Sequence, residues 1–316
     1  MSDKKIIAVT GATGAQGGGL ARAILADPEG GFAVRALTRD PNSGKARALA
    51  ASGAEVVRAD FDDAGSVRVA FTGAYGAFCV TNFWEHFSVE KEVAQARTMA
   101  EAAKAAGVKH VVWSTLEDTR RFMDLDDDRM PTLQGKYKVP HFDGKGEADD
   151  VFREVGVPTT FLLTSFYWDN FIHFGSGPQR GEDGALVLPI PMGDKKLPGI
   201  AVEDIGKCAY GIFKEGTRHV GQTIGIAGEH LTREQLAAGL SKTMGETVTY
   251  WSVPWDQYRQ FDFPGADDLG NMFQFKHDFQ EAFVGARDLQ VARRLNPELQ
   301  TFARWLEAHG SAIPKP

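Results

Sequence analysis

Residues 5–19, KIIAVTGATGAQGGG, decide the fold of this chain. A short run rich in β-branched residues meets three glycines, Gly11, Gly14 and Gly17, which are spaced three residues apart. A helical pattern, LARAILAD, follows at 20–27. Glycines at this spacing between a strand and a helix are typical of a loop that holds the pyrophosphate of a dinucleotide. The stretch therefore predicts a dinucleotide-binding fold, in which N–H groups at the start of the helix face the phosphates.

Each glycine of this loop has its own expected role. Gly11 allows the tight turn, Gly14 lets the backbone approach the pyrophosphate, and Gly17 lets the helix and the strand pack closely. An ordinary glycine turn is the alternative. The cofactor interpretation is favoured because the loop lies in the first strand-to-helix turn of a chain that repeats this unit. The predicted cofactor-binding loop comprises Gly11, Ala12, Thr13, Gly14, Ala15, Gln16 and Gly17.

Strands and helices alternate through the first half of the chain. Several strand-like runs, such as IIAV, VVW and FLL, are apolar throughout, as are strands buried on both faces. The alternation predicts an α/β fold with a Rossmann-type, doubly wound parallel sheet. After the first strand, the predicted strands are 32–39, 54–60, 75–81, 110–115 and 159–165, and the predicted helices between them are 45–53, 66–73, 89–107 and 146–156.

The alternation stops after Phe166. The segment FYWDNFIHFGSGPQRGEDG mixes aromatic residues with glycine and proline, and only separate elements follow it. We therefore expect two parts: a dinucleotide-binding Rossmann domain over 1–165, and a smaller, mostly C-terminal α+β part over 166–316 that binds a substrate or partner. A strand of the second part returning to the first sheet is left open. The elements predicted in the second part are helices at 202–216, 231–245 and 298–309 and a strand at 248–254.

Composition excludes several classes of protein. The 316 residues are 43% hydrophobic, which is ample for a sizeable core. A net charge of -7 without a Lys/Arg block disfavours direct nucleic-acid binding. Two cysteines, the absence of a signal peptide and the absence of a membrane-spanning run favour a cytoplasmic protein without a membrane partner. The eight histidines show no metal-ligand spacing, so no metal site is predicted.

Residues at the end of the second predicted strand bear on the choice of cofactor. Arg39 can pair with the 2′-phosphate of NADP(H), and Lys45 adds positive charge nearby. Asp40 is a competing signal, because an acidic residue at this place usually holds the free 2′-hydroxyl of NAD(H). A solvated arginine at a strand end is a further alternative. The pattern favours NADP(H) over NAD(H).

Two further strand ends supply candidate cofactor contacts. Asp60 and Phe61 close the third strand, where a carboxylate and a ring can flank the adenine. Thr81, Asn82 and Phe83 close the fourth, within reach of the middle of the cofactor. Ligands of open α/β sheets bind at the carboxyl ends of strands, which favours this interpretation. Ordinary loop polarity is the alternative.

Seven strings, GATGAQGGG, TRDP, ADFDD, VTNFWE, HFDGKGE, FYWDN and FPGADDLGNMF, together resemble the NmrA-like family. This family is an atypical branch of the short-chain dehydrogenase/reductase superfamily, and the resemblance runs nearly end to end. It implies NADP(H) as the cofactor and a regulatory protein that senses it. The loop after Arg39, DPNSGK, is less basic than the family pattern. The cofactor contacts that the resemblance implies are the 11–16 loop, Arg39, Asp60, Phe61, Thr81, Asn82, Phe83, Lys145, Tyr167, Trp168, Asp169 and Asn170.

The stretch KVPHFDGKGEADD, 138–150, reads as a loop that runs into a helix. Reductases of the superfamily use a tyrosine as the proton donor. A lysine four residues later holds the nicotinamide ribose. Here Lys145 occupies the lysine position and His141 the tyrosine position, while Tyr137 is eight residues away from Lys145. Histidine can act as a proton donor, but a polar loop histidine is the favoured interpretation.

These residues lead to two hypotheses about function. The first is an NADP(H)-binding, redox-sensing regulatory protein that lacks the usual catalytic tyrosine and presents different surfaces when occupied and empty. The second is an NADPH-dependent oxidoreductase of small carbonyls or quinones, in which His141 and Lys145 are the catalytic candidates. A protein partner and a homodimer are left open by the sequence.

Overall fold

The computed structural model of the protein describes residues 4–316. Its strands are short, and those in the middle of the large sheet are the most deeply buried. They are β1 (Lys5–Val9), β2 (Phe32–Thr38), β3 (Glu55–Arg58), β4 (Gly76–Cys79), β5 (His110–Thr115), β6 (Thr159–Leu163), β7 (Phe166–Tyr167), β8 (Gln179–Arg180), β9 (Leu186–Pro189), β10 (Leu197–Ile200), β11 (Thr223–Gly225), β12 (Glu229–Leu231) and β13 (Val248–Trp251).

The helices follow the strands closely in the first half of the chain and cluster near its end. They are α1 (Ala15–Leu25), α2 (Gly44–Ala51), α3 (Ala64–Phe71), α4 (Val89–Ala105), α5 (Pro140–Val155), α6 (Asn170–His173), α7 (Val202–Lys214), α8 (Arg233–Met244), α9 (Trp255–Tyr258), α10 (Ala266–Asp278), α11 (Gln280–Gly285), α12 (Leu289–Leu295) and α13 (Phe302–His309). Within residues 4–316, no helix has both the length and the apolar character that a membrane crossing requires.

A seven-stranded sheet of order β3-β2-β1-β4-β5-β6-β11 forms the centre of the molecule. All its neighbouring strands run parallel. The first six strands wind outward in both directions from β1, so the predicted doubly wound Rossmann-type sheet is confirmed. The seventh, β11, comes from the second half of the chain and pairs with β6. The division at residue 165 stays a prediction, and the sheet crosses it.

Helices cover both faces of this sheet because its strands are apolar on both sides. Ile7 and Val9 of β1 pack among residues of α1, α2, α7 and α12 on one face. Ala8, which points the other way, packs among residues of α3, α4 and α5. The helix α7 lies beyond residue 165 in sequence, yet it completes the core of the first face. The three-layer sandwich is therefore built from both halves of the chain.

A third core belongs to the C-terminal part, which also holds two three-stranded sheets, β12-β10-β7 and β13-β9-β8. Its centre contains Trp168, Phe171, Phe302 and Trp305, which pack ring against ring. This core packs against the large sheet at the carboxyl ends of its strands. The C-terminal part therefore forms one wall above the carboxyl ends of the strands.

Two predicted boundaries were wrong in a way that matters for the site. The predicted helix at 146–156 begins at Pro140, because the Asp143 carboxylate accepts the N–H groups of Lys138 and Val139 and fixes the turn that starts it. The last helix begins at Phe302 rather than 298, because Thr301 caps it. The helices α10, α11 and α12 were not predicted. His141 and Lys145 thus both lie on α5, one turn apart.

Candidate active site

One large cleft runs along the carboxyl ends of the strands and on into the C-terminal part. Its volume is about 2370 Å³, well above the roughly 300–1,000 Å³ of common small-molecule pockets. It therefore has room for a dinucleotide and a second molecule. All but one of the predicted site residues line it: Gly11, Ala12, Thr13, Gly14, Ala15, Gln16, Gly17, Arg39, Lys45, Asp60, Phe61, Thr81, Asn82, Phe83, His141, Lys145, Tyr167, Asp169 and Asn170.

The exception is Trp168, whose side chain lies away from the cleft. Its side chain is fully buried and packs against Phe302 and Trp305 in the C-terminal core. Tyr167, the last residue of the short strand β7, lines the cleft, whereas the side chain of the next residue, Trp168, faces the core.

The glycine loop is shaped by close approaches of its backbone. Gly11 has φ +58, a conformation that favours glycine. A Cβ at Gly17 would lie 2.3 Å from the carbonyl oxygen of Thr10, so the start of α1 can pack on β1 only without a side chain there. A Cβ at Gly14 would meet only the Gly11 carbonyl oxygen, at 3.2 Å. Gly14, the N-cap of α1, carries no side-chain cap, so the first N–H groups of the helix are open to the cleft.

Arg39 lies at the edge of the cleft and is engaged with Glu85, which follows β4. The bond to Glu85 raises the pKa of Arg39, and Asp60 and Asp62 add to the effect. The competing carboxylate, Asp40, accepts the backbone N–H of Asn42 at 2.9 Å and so stabilises its own loop. Glu85 was not predicted, because nothing in VTNFWE distinguishes this glutamate from an ordinary solvated one.

Gln16 connects the glycine loop to the middle of the cleft. Its Nε2 donates to the Tyr167 hydroxyl at 2.7 Å, and its Oε1 accepts from the Ser114 hydroxyl at 2.7 Å. Burial raises the pKa of Tyr167, which keeps the phenol protonated. The loop, β5 and β7 are thereby fixed to one another at the point where the two halves of the cleft meet.

Lys145 is held by a buried carboxylate that sequence reasoning missed. Its Nζ lies 2.8 Å from Oε1 of Glu92 and donates to the Thr81 hydroxyl at 2.9 Å. The same Glu92 oxygen accepts from the Thr81 hydroxyl at 2.6 Å. The other Glu92 oxygen lies 3.6 Å from Nε2 of His86. Glu92 is in the first turn of α4, where an acidic residue is ordinary, so this role could not be recognised from the sequence.

His141 is paired with Asp268, which lies on the unpredicted helix α10. Oδ1 of Asp268 is 2.5 Å from Nδ1 of the imidazole, and Oδ2 accepts the backbone N–H of His141 at 3.0 Å. A carboxylate only accepts hydrogen bonds, so the Nδ1 hydrogen points to Asp268 and Nε2 is left for the cleft. The Trp84 ring packs on the imidazole with 4.7 Å between centroids. The histidine that we expected to be a polar loop residue is buried and oriented.

Beyond His141 the cleft becomes an apolar chamber. Helix α10 is joined to the 131–138 segment by Asn271, whose side-chain amide donates to the carbonyl oxygens of Pro131 and Lys138. This connection holds α10 over the end of the large sheet. The apolar residues that line the chamber are Phe142, Phe166, Tyr258, Phe261, Leu269, Met272, Phe273 and Phe283.

Sequence similarity to known proteins covers most of this chain. The sequence profile described as the NmrA-like family matches residues 3–306. FrzB from Cladobotryum sp, an NmrA-like family domain-containing oxidoreductase, is 31% identical over a 293-residue alignment that covers 85% of this chain and 83% of FrzB.

Solved structures show the same fold. NmrA, a negative transcriptional regulator solved in complex with NADP, has a TM-score of 0.77 at 24% identity and covers 98% of both chains. A new type of NADPH-dependent quinone oxidoreductase from Escherichia coli has a TM-score of 0.70 at 24% identity, covering 96% of this chain and 98% of its own. With the profile spanning nearly its whole length, this chain belongs to the NmrA-like family.

Proposed function

We propose that the protein is an NADP(H)-dependent oxidoreductase that reduces a carbonyl or quinone group on an apolar molecule. One observation carries this proposal: a single cleft leads from the glycine loop, past Lys145 and His141, into an apolar chamber. A protein that only binds a dinucleotide has no need of a second, apolar compartment beside it. The names of the relatives, FrzB as an oxidoreductase and the Escherichia coli protein as a quinone oxidoreductase, support the same class.

NADP(H) is the proposed cofactor. The open N-terminus of α1 and the side-chain-free loop around Gly14 fit a pyrophosphate. Arg39 is the cation available to a 2′-phosphate, with Lys45 nearby on α2, whereas Asp40 is used by its own loop. NmrA has been solved in complex with NADP and in complex with NAD, so it supports a dinucleotide at this site, and the preference for NADP(H) rests on Arg39. Asp60, Phe61, Asn82, Phe83, Asp169 and Asn170 are the further residues proposed to surround the cofactor.

His141 is the proposed proton donor. When bound, the reduced nicotinamide supplies a hydride to the carbonyl carbon. Protonated His141 gives the Nε2 proton to the oxygen, so that a C–H and an O–H bond form, the C=O π bond breaks, and the imidazole becomes neutral. Asp268 is a positioning residue that accepts the Nδ1 hydrogen and so directs Nε2 toward the cleft. Lys145, aligned by Glu92 and Thr81, is proposed to hold the ribose beside the reacting carbonyl.

A regulatory protein that senses NADP(H) is the second candidate. The observation that favours it is the absence of a tyrosine from position 141, where the superfamily places its proton donor. The pairing of Arg39 with Glu85 adds support, because a 2′-phosphate would compete for the same guanidinium and could move the segment after β4. Under this proposal a protein partner binds the surface near Glu85 and distinguishes the occupied form from the empty one.

Steady-state oxidation of NADPH separates the two candidates. The protein is given NADPH with a panel of aromatic quinones and aldehydes, and absorbance at the reduced nicotinamide band is followed. The oxidoreductase proposal predicts turnover that requires both the protein and an apolar substrate. Tight NADPH binding by calorimetry without turnover on the whole panel would favour the sensor instead.

A further inference from the structure

We propose that Lys276 is the substrate-recognition residue of the apolar chamber, where it binds an anionic oxygen carried by an aromatic substrate. A carboxylate or phenolate attached to a planar ring is the chemistry that the chamber fits. This inference rests on the proposed function, because it names the class of molecule that the oxidoreductase would accept. It concerns binding, however, and is measured without any turnover.

Lys276 is enclosed by aromatic rings. It lies on α10, is only 4% exposed, and lines the cleft. Its Nζ is within 6.0 Å of the ring centres of four phenylalanines on four different elements. The distances are 5.5 Å to Phe142, 6.0 Å to Phe166, 5.6 Å to Phe273 and 5.3 Å to Phe283.

Within residues 4–316, no carboxylate forms a salt bridge with this amine. Its one hydrogen-bond partner among residues 4–316 is the sulfur of Met272, at 3.2 Å, and a thioether is a weak acceptor. The charged groups that face it, Glu117 and Arg287, are paired with each other at 2.6 Å. Burial lowers the pKa of Lys276 to about 7, with repulsion from Arg287 in the same direction and attraction to Glu117 against it.

A buried amine that lacks a counter-ion is a costly feature for a fold to keep. Cation–π contacts recover about 0.5–2 kcal/mol each, whereas an isolated buried ammonium loses far more in hydration. An anionic oxygen of a ligand would supply the missing counter-ion, and the surrounding rings would pack on the ligand's planar body. At a pH above 7 such a ligand would bind together with a proton, which the amine takes up.

A purely structural role for Lys276 predicts different behaviour. In that case the amine only fills space between the phenylalanines, and its charge is irrelevant to ligands in the cleft. Lys276→Met keeps the length and the apolar stem of the side chain while it removes the charge. Since it removes a buried group without a counter-ion, we expect the variant to fold and to be at least as stable as the wild type.

Calorimetric titration of the full chain with a matched pair of ligands tests the inference. The probes are 2-naphthoate and 2-acetonaphthone, which share the ring system and differ in the anionic group. We expect the wild type to bind 2-naphthoate at least about tenfold more tightly, which is about 1.4 kcal/mol, and Lys276→Met to lose that preference. At pH 8, titrations in buffers of different ionisation enthalpy should reveal proton uptake in the wild type and none in Lys276→Met. Lys104→Met, a surface change on α4, is the control and should behave as the wild type.

Three results would overturn the inference: no binding of 2-naphthoate by the wild type, equal affinity for both probes, or an unchanged preference in Lys276→Met. A naphthoate preference in a protein that oxidises no NADPH would contradict the proposed function and leave the anion site standing. Turnover of neutral quinones without a naphthoate preference would contradict the anion site and leave the proposed function standing.

Discussion

The two ends of the cleft are built in opposite ways. The nucleotide end consists of the glycine loop at 11–17, whose residues are neighbours in sequence and are shaped by the turn from β1 into α1. The far end is assembled from residues that are distant in sequence: His141 and Asp268 are 127 positions apart, and Lys138 and Asn271 are 133 positions apart. The first end depends on local backbone geometry, and the second on how α10 docks against α5.

This difference separates what the family shares from what an individual member adds. A pyrophosphate is recognised by backbone N–H groups, which any chain with the right turn can offer. An apolar substrate is recognised by side chains whose identity can change without altering the fold. Changes at the nucleotide end should therefore abolish cofactor binding. Changes at the far end should alter the chemistry and the substrate selectivity while the cofactor still binds.

The largest effect is expected at the glycine loop. Gly14→Val should weaken NADPH binding at least about 1,000-fold, roughly 4 kcal/mol, because the branched side chain would fill the space that the pyrophosphate needs. The fold should survive, since a Cβ there meets only the Gly11 carbonyl oxygen at 3.2 Å. Fluorescence titration beside circular dichroism measures both. Gly44→Val, where a Cβ meets nothing within 4 Å, is the matched control. Normal NADPH binding by folded Gly14→Val would remove the loop from the site.

The next effect concerns the buried ion pair in the middle of the cleft. Lys145→Met should lower the free energy of unfolding by about 3 kcal/mol, because it leaves the Glu92 carboxylate buried without its cation. Adding Glu92→Gln should recover much of that loss. Urea denaturation of both variants measures it. If Lys145→Met is as stable as the wild type, the pair does not hold this part of the cleft together.

The effect on chemistry is expected at the far end. His141→Gln should lower kcat about 100-fold, the usual contribution of a general acid, and should change NADPH affinity less than about twofold. Asp268→Asn should lower kcat in the same direction by a smaller factor, because the imidazole loses its orienting carboxylate. Turnover of the best panel substrate and calorimetry with NADPH measure the two quantities. An unchanged kcat in His141→Gln would show that another group or water donates the proton.

The smallest effect is expected in cofactor selectivity. The wild type should prefer NADPH over NADH by about tenfold, near 1.4 kcal/mol, and Arg39→Ala should remove that preference chiefly by weakening NADPH. Glu85→Gln should strengthen NADPH binding, since the 2′-phosphate no longer competes with a carboxylate for Arg39. Parallel titrations with both cofactors measure the ratio. Equal affinities in the wild type, or tighter NADH, would contradict the role of Arg39.

The fold around the nucleotide end could be predicted from the sequence because its signals are local. The glycine spacing, the apolar strands and the alternation with helices each constrain a few neighbouring residues, and the confirmed parallel sheet follows from them. Strand β11 shows the limit of such local signals, since nothing in its sequence, TIG, indicates that it pairs with β6. The first turn of α5 was missed for the same reason: Asp143 fixes it through contacts with the backbone at Thr119, Lys138 and Val139, which the sequence does not connect.

The far end was missed where its residues look ordinary one at a time. Asp268 reads as a first-turn acid of a helix, and its value lies only in the approach of α10 to His141. Lys276 looks like any helical lysine until four phenylalanines from separate elements surround it. The string FYWDN likewise does not reveal which of its side chains face the cleft, and Trp168 is buried in the C-terminal core.

Transfer of deuterium from NADPH labelled at C4 tests the central claim most directly. The labelled cofactor is incubated with the protein and an aromatic aldehyde or quinone from the panel, and the product is analysed by mass spectrometry. With an aldehyde, transfer from C4 to the carbonyl carbon labels the alcohol product. With a quinone, the hydroquinone formed should equal the NADPH oxidised. The oxidoreductase proposal predicts label transfer that falls about 100-fold in rate in His141→Gln. Saturating NADPH binding with no label transfer and no hydroquinone from any member of the panel would contradict it.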